Sequence, residues 1–302
     1  MGNADSSGDC LERDYRRTVQ ATGPGQFLAA TSIEMIRPRS QASPPQHVLF
    51  DFDGTLSLIR EGWAGVMVPM MVETLQATGT RESPESLRQL AYDFVMQLNG
   101  KQTIYQMIRL AEEVQKRGGR PQDPLVYKQI YHERLMERIA ARREALRTGR
   151  RTPAEMLVPH SLEMLAELAR RSVELYVASG TDEQYVVEEA QLLGLDAYFG
   201  KRIYGALSDY RSFSKAMVIE RILRENRVDG AALLGFGDGY VEIENIKAAG
   251  GTAVAVASDE AGRSGRVDAW KRDRLIGVGA DYVIPDYRHY RALIAHLWNE
   301  PY

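Results

Sequence analysis

The sequence predicts an α/β protein in which a parallel sheet is wound with helices and interrupted by an all-α insertion. Three observations carry this. From about residue 158 onward, short apolar runs alternate with helical stretches. Residues 58–157 show three- and four-residue apolar spacing and scarcely any strand-like run. Ahead of both, Val48-Leu49-Phe50 forms an apolar strand that breaks into Asp51-Phe52-Asp53-Gly54-Thr55.

In chain order, residues 1–45 read as an extension, rich in Gly, Ser, Pro, Gln and charge, flexible or loosely docked, with apolar content only in Phe27–Ile36. Met1–Ser6 formally fits a myristoylation pattern, but so short a match reads as a plain tail. Next comes the strand. In the insertion, Leu75, Leu87, Leu90, Phe94, Leu98, Ile104, Met107, Ile108 and Leu110 set the helical spacing. Ser83-Pro84-Glu85 is a start signal, Gly118-Gly119 with Pro121 a stop, and Ile130–Arg147 a further helix. Beyond it, helices are expected over Ser161–Arg171, Asp182–Leu193, Ser214–Asn226, Val241–Ala249 and Tyr287–Trp298. Strands are expected over Val173–Ala178, Ala231–Phe236, Thr252–Ala257 and Tyr282–Ile284. Ser258–Gly279, with Arg263, Arg266, Lys271, Arg272 and Arg274, reads as a solvated basic helix.

Four polar clusters fall at strand ends or helix starts, where α/β sheets bind ligands. Asp51 and Asp53 repel each other unless a cation lies between them, and Mg²⁺ suits hard oxygen ligands beside a phosphate. Ser179-Gly180-Thr181 offers a hydroxyl and N–H groups to phosphate oxygens. Lys215 offers an ammonium on a long stem, and Asp238, between two glycines, a further carboxylate. Taken singly, each has a plainer reading: a turn, a surface lysine, or, for Glu242, an acid favoured by the helix dipole. Their joint order is what points to a phosphate-and-metal site.

With these residues in place, the sequence resembles the haloacid dehalogenase superfamily of phosphotransferases. Asp51-Phe52-Asp53-Gly54-Thr55 is similar to its first motif, Ser179 to its second, Lys215 to its third, and Gly237-Asp238 with Glu242 to its fourth, where Asp is commoner than Glu at the last position. The resemblance implies a Rossmann-like core over 46–57 and 158–302, with 58–157 as a helical cap. It implies Asp51 as nucleophile and Asp53 as acid/base. Mg²⁺ would be held by Asp51, Asp238 and the carbonyl of Asp53, with Glu242 behind them or acting through water. Thr55, Ser179, Gly180 and Lys215 would hold the phosphoryl oxygens.

Asp53 argues against a dehalogenase, since a halide leaves without a proton, and against a phosphonate hydrolase, which would carry another residue there. A transport ATPase would need membrane helices. The long gap between Asp51 and Ser179 has room for a second domain and the short gap before Lys215 does not, so the cap resembles that of the phosphoglycolate phosphatase and β-phosphoglucomutase branch. Arg60 and Trp63, in the first cap segment, are candidates for the substrate pocket. The expected activity is a Mg²⁺-dependent phosphatase acting on a small phosphorylated metabolite. A mutase-like phosphoryl shuttle and a non-catalytic binding module are the rivals.

Composition agrees with a globular protein: 302 residues, 44% hydrophobic and 26% charged. The net charge of −3 gives no bias toward nucleic acid or anionic membranes. Cys10 alone cannot form an intrachain disulfide, so a reducing, cytoplasmic setting is expected. No apolar run has the length of a transmembrane helix. The substrate and the oligomeric state are not written in the sequence.

Overall fold

The structure is a computed structural model that describes residues 14–19, 25–37 and 43–301. It begins with β1 (Gln26–Phe27), β2 (Glu34–Met35) and β3 (His47–Phe50). Four helices follow with no strand between them: α1 (Ala64–Gln76), α2 (Pro84–Gln97), α3 (Thr103–Lys116) and α4 (Pro124–Arg147). The rest alternates through α5 (Ser161–Arg170), β4 (Glu174–Asp182), α6 (Glu183–Leu192), α7 (Asp196–Phe199), β5 (Ile203–Ala206), α8 (Lys215–Asn226), β6 (Leu233–Gly237), α9 (Tyr240–Ala248), β7 (Thr252–Val256), α10 (Ala269–Gly277), β8 (Tyr282–Ile284) and α11 (Tyr290–Leu297).

Local chemistry sets the helix starts. Ser83 accepts a hydrogen bond from the Ser86 N–H, Ser214 from Met217, and Asp268 from Lys271. Each such cap is worth about 1 kcal/mol. Two of them also aim chemistry, because Lys215 follows its cap directly and Lys271 sits three residues after its own.

One sheet holds all eight strands in the order β1-β2-β8-β7-β6-β3-β4-β5. β3 lies between β4 and β6 and is parallel to both, with Val48 opposite Leu175 and Leu234. After β3 the chain adds β4 and β5 on one side, then crosses to add β6, β7 and β8 on the other. The carboxyl end of β3 is therefore the switch point of an α/β, Rossmann-like sheet, where strand order reverses and a crevice opens.

Alternation along β3 sends Val48 and Phe50 into one core and Leu49 into the other. The first core continues into the insertion through Met67, Leu87, Met107 and Leu135. Phe50 stacks on Phe236 with ring centroids 4.8 Å apart. Burying a ring of this size contributes about 2–3 kcal/mol, so the strand end that carries the acids is firmly set.

Several sequence expectations are corrected. β4 does not stop at Ala178 but runs to Asp182, because the unexpected β5 pairs with it through a register shift between Ala178 and Asp182. Ser179-Gly180-Thr181 lies in that irregular stretch. The extension 1–45 is docked in its middle: β2 pairs antiparallel with β8, Ile33 is buried, and Glu34 binds Arg272 on α10. Two-residue strands whose partner lies some 250 residues away leave no local pattern to read. The myristoylation match and Cys10 lie outside the described residues. The segment 258–279 does hold a helix, α10, but it is not simply solvated, since Lys271 and Arg274 are buried. No helix among the described residues is long and apolar enough to cross a membrane.

Candidate active site

A cavity of about 100 Å³ opens at the carboxyl ends of β3, β4 and β6. Asp51, Asp53, Ser179, Gly180, Lys215 and Asp238 all line it, so the four distant clusters meet in one place. Arg60, Trp63 and Met67 line the insertion side, with Lys101, Gln106 and Tyr131.

The first loop is fixed from below. The Asp51 N–H donates to the Phe236 carbonyl (2.9 Å), extending the β3–β6 ladder by one residue. Gly54 takes φ +75°, and a side chain there would run into the Asp238 carboxylate, so glycine lets the first and fourth loops touch. The Ser258 hydroxyl donates to the Gly54 carbonyl (3.1 Å) and the Tyr287 hydroxyl to the Thr55 carbonyl (3.0 Å).

Lys215 bridges two carboxylates. Its ammonium lies 3.0 Å from Asp51 Oδ1 and also pairs with Glu242, all three groups being buried. Glu242 does not line the cavity; it pairs with Lys215. Thr55 bonds to the fourth loop. Its hydroxyl is buried, accepts the Asp238 N–H (2.9 Å) and donates to Asp238 Oδ1 (3.4 Å). It holds the fourth loop and is not among the residues that line the cavity.

Asp53 is held on one side only. Oδ2 accepts from the Thr181 hydroxyl (2.8 Å). Oδ1 is shut from solvent and accepts no hydrogen bond among the described residues, with Arg60 Nε 3.8 Å away. Burial pushes its carboxyl up to about 7, opposed by Arg60. Asp51 is pushed up to about 6 by burial, opposed by Lys215 and reinforced by Asp238. Arg60 itself is not free. It forks onto buried Glu189 of α6, with Nε–Oε2 at 3.0 Å and Nη2–Oε1 at 2.9 Å. It lines the cavity but is already paired.

Sequence reasoning missed four participants. Thr181 is a neighbour of the expected Ser179. Glu189 lies mid-helix with no motif to mark it. Lys271 Nζ sits 2.9 Å from Asp238 Oδ2 and 2.5 Å from Glu260, and Glu260 reaches the cavity. A signal for Lys271 did exist: positions 271, 274, 275 and 278 form a helical stripe and all are buried, so the cations at 271 and 274 stand where apolar residues would be expected.

The donor set fits a hard divalent cation. Asp51 and Asp238 both line the cavity, and the charge of Asp238 disfavours that of Asp51, which a cation between them would relieve. Among the described residues no three acidic, histidine or cysteine side chains close a metal cage.

A family model of haloacid dehalogenase-like hydrolases matches residues 45–250. No curated protein matches the chain. Among solved structures, similarity extends to a conserved haloacid dehalogenase-like protein of unknown function from Agrobacterium tumefaciens (TM-score 0.54, 18% identity, 83% of this chain and 98% of that one). A predicted phosphoglycolate phosphatase from Haemophilus somnus is similar at TM-score 0.54 and 14% identity, over 84% of this chain and 99% of that one. A protein from Bacteroides vulgatus, provisionally described as a β-phosphoglucomutase, is similar at TM-score 0.53 and 14% identity, over 85% and 92%. At these identities the likeness speaks to the fold.

Proposed function

The chain belongs to the haloacid dehalogenase-like hydrolases, and from that premise we propose that it is a phosphomonoesterase acting on a small phosphorylated metabolite through an aspartyl-phosphate at Asp51. The observation that carries this is the pair of acids with different partners in one cavity: the Lys215 ammonium holds Asp51, while the Thr181 hydroxyl holds Asp53, the more strongly raised of the two.

Lys215 fixes one oxygen of Asp51, and the other attacks phosphorus. An O–P bond to Asp51 forms as the ester O–P bond breaks, and the leaving alkoxide takes the proton of Asp53. Thr181 donates to Asp53 Oδ2 and so fixes the orientation of the carboxyl that would carry this proton. In the second half, Asp53 takes a proton from water, whose oxygen attacks phosphorus and releases the Asp51 carboxylate. Ser179, the Gly180 N–H and Lys215, all from residues that line the cavity, would stabilise the charge developing on the non-bridging oxygens. Mg²⁺, for which Asp51, Asp238 and the Asp53 carbonyl are the proposed ligands, would neutralise the repulsion between nucleophile and phosphate.

In this reading the helices between residues 58 and 157 are a cap that shuts out bulk water. Phosphoglycolate and sugar phosphates are the first substrates to try; the similarity to the Haemophilus somnus protein supports the former. The test is phosphate release from a panel of metabolite phosphomonoesters, with and without EDTA. Hydrolysis that stops with EDTA and falls by about 10⁴ or more in Asp51→Asn is expected. A mutase would show isomerised sugar phosphate in place of free phosphate. No turnover by the wild-type chain on any member of the panel would overturn both readings.

A further inference from the structure

One cation on the cavity wall takes no part in the chemistry above. Lys101 stands on the loop between α2 and α3, its side chain 5% exposed and its ammonium 5.0 Å from the Tyr105 ring centre. Lys215, Arg60 and Lys271 are each paired with acids of the core. The ion partner of Lys101 comes from elsewhere: Asp14, 2.6 Å away and half exposed.

Asp14 is delivered by a segment anchored on α10. The Tyr15 ring lies on the Arg274 guanidinium (4.0 Å to the ring centre) and meets Tyr240 edge-on at 5.5 Å. The N–H groups of Thr18 and Val19 donate to the Gly277 carbonyl at 2.8 and 3.0 Å. Arg274 in turn donates to the Gln97 carbonyl (2.6 Å), where the loop carrying Lys101 begins. This anchorage keeps Asp14 beside Lys101 at a high effective concentration even when the pair opens.

We propose that residues 14–19 form an internal strap whose Asp14 carboxylate occupies Lys101, the place taken in the filled site by a second anionic group of the substrate. The chain's own carboxylate shows which chemistry Lys101 receives. The substrate class is thus a phosphomonoester carrying a second anion, and the strap lowers its apparent affinity by the fraction of molecules in which Lys101 is taken. The inference rests on the phosphatase reading, because it treats this cavity as the substrate site.

Asp14→Asn tests it on two substrates, phosphoglycolate, which carries a carboxylate, and p-nitrophenyl phosphate, which carries no second anion. KM for phosphoglycolate should fall by about twofold to fivefold, the upper part of the range in which breaking such an ion pair acts, and KM for p-nitrophenyl phosphate should move by less than about 1.5-fold on the same scale. In Lys101→Met, KM for phosphoglycolate should rise, and adding Asp14→Asn should change nothing further. A KM for phosphoglycolate that rises or stays put in Asp14→Asn overturns the proposal, and so does an equal fall for both substrates. If the wild-type chain turns over neither compound, the phosphatase reading fails on its own. The strap is then measured by calorimetry, with phosphoglycolate titrated into Asp51→Asn with and without Asp14→Asn. Tighter binding in the double variant supports the strap; equal, weaker or absent binding overturns it.

Discussion

The helical insertion touches the sheet region in two places built on different chemistry. At its root one ion pair is locked away from water, Arg60 forked onto Glu189, and the partly exposed Arg142 braces the start of the insertion through the carbonyls of Ile59 and Glu61 and the Glu61 carboxylate. Arg263 donates to the carbonyls of Ala154, Glu155 and Leu157, and Lys128 pairs with Asp182. At its tip, the loop 98–102 meets the sheet region mainly through backbone. A side chain on Gly180 would come within 2.9 Å of the Lys101 carbonyl, and one on Gly239 within 2.8 Å of Gly100 Cα. Gln102 adds hydrogen bonds to the carbonyls of Tyr210 (3.1 Å) and Phe213 (2.8 Å). A buried ion pair is hard to open because each charge would be left alone in a poor solvent, whereas a glycine contact costs little to part. If the insertion swings against the sheet region, the root is the expected pivot and the tip the side expected to part.

The largest effect should come from breaking the pivot. Glu189→Gln leaves the Arg60 charge buried against a neutral partner, and unfolding stability in denaturant should fall by about 3–5 kcal/mol. A loss below about 1 kcal/mol would mean that the root is as loose as the tip. Next, Gly180→Ala puts a methyl against the Lys101 carbonyl without straining its own backbone. If the tip must seat against Ser179 for catalysis, kcat/KM should drop about tenfold or more while stability moves by less than about 1 kcal/mol. Unchanged kinetics would show that the contact is incidental. Gln102→Ala removes two hydrogen bonds at the tip, worth about 1 kcal/mol each. Amide exchange over 98–103 should quicken severalfold, and exchange in α1 and α4 should not.

The smallest effect is a pH dependence at the root. His132 of α4 stacks on Tyr185 of α6 with centroids 3.9 Å apart, and burial, aided by Arg60, holds its pKa below the usual value of 6.5. The folded chain therefore resists a proton that the unfolded chain accepts. The stability tied to this group is whole above pH 6.5 and is lost as pH falls below that value. His132→Gln should flatten the decline in stability between pH 6.5 and 5, as followed by thermal unfolding.

The catalytic cluster was legible because each member sits where a local pattern ends: Asp51 after an apolar triplet, Ser179 after β4, Lys215 behind a capping serine. What closes the cavity was not, for the converse reason. Glu189, Lys101 and Glu260 look like ordinary surface residues in their own stretches, and only packing between distant elements makes them part of the site. Thr55 shows the limit from the other side. Its position in the motif was readable, but its direction was not, since the hydroxyl turns to Asp238 through a loop geometry that the sequence leaves open.

The short pairing of β2 with β8 has a practical consequence for anyone shortening the chain. β8 would otherwise end the sheet with a row of bare N–H and C=O groups, and β2 covers it. A fragment beginning at residue 43 would keep every group named in the chemistry yet present a raw border to its neighbours in solution, inviting edge-to-edge aggregation.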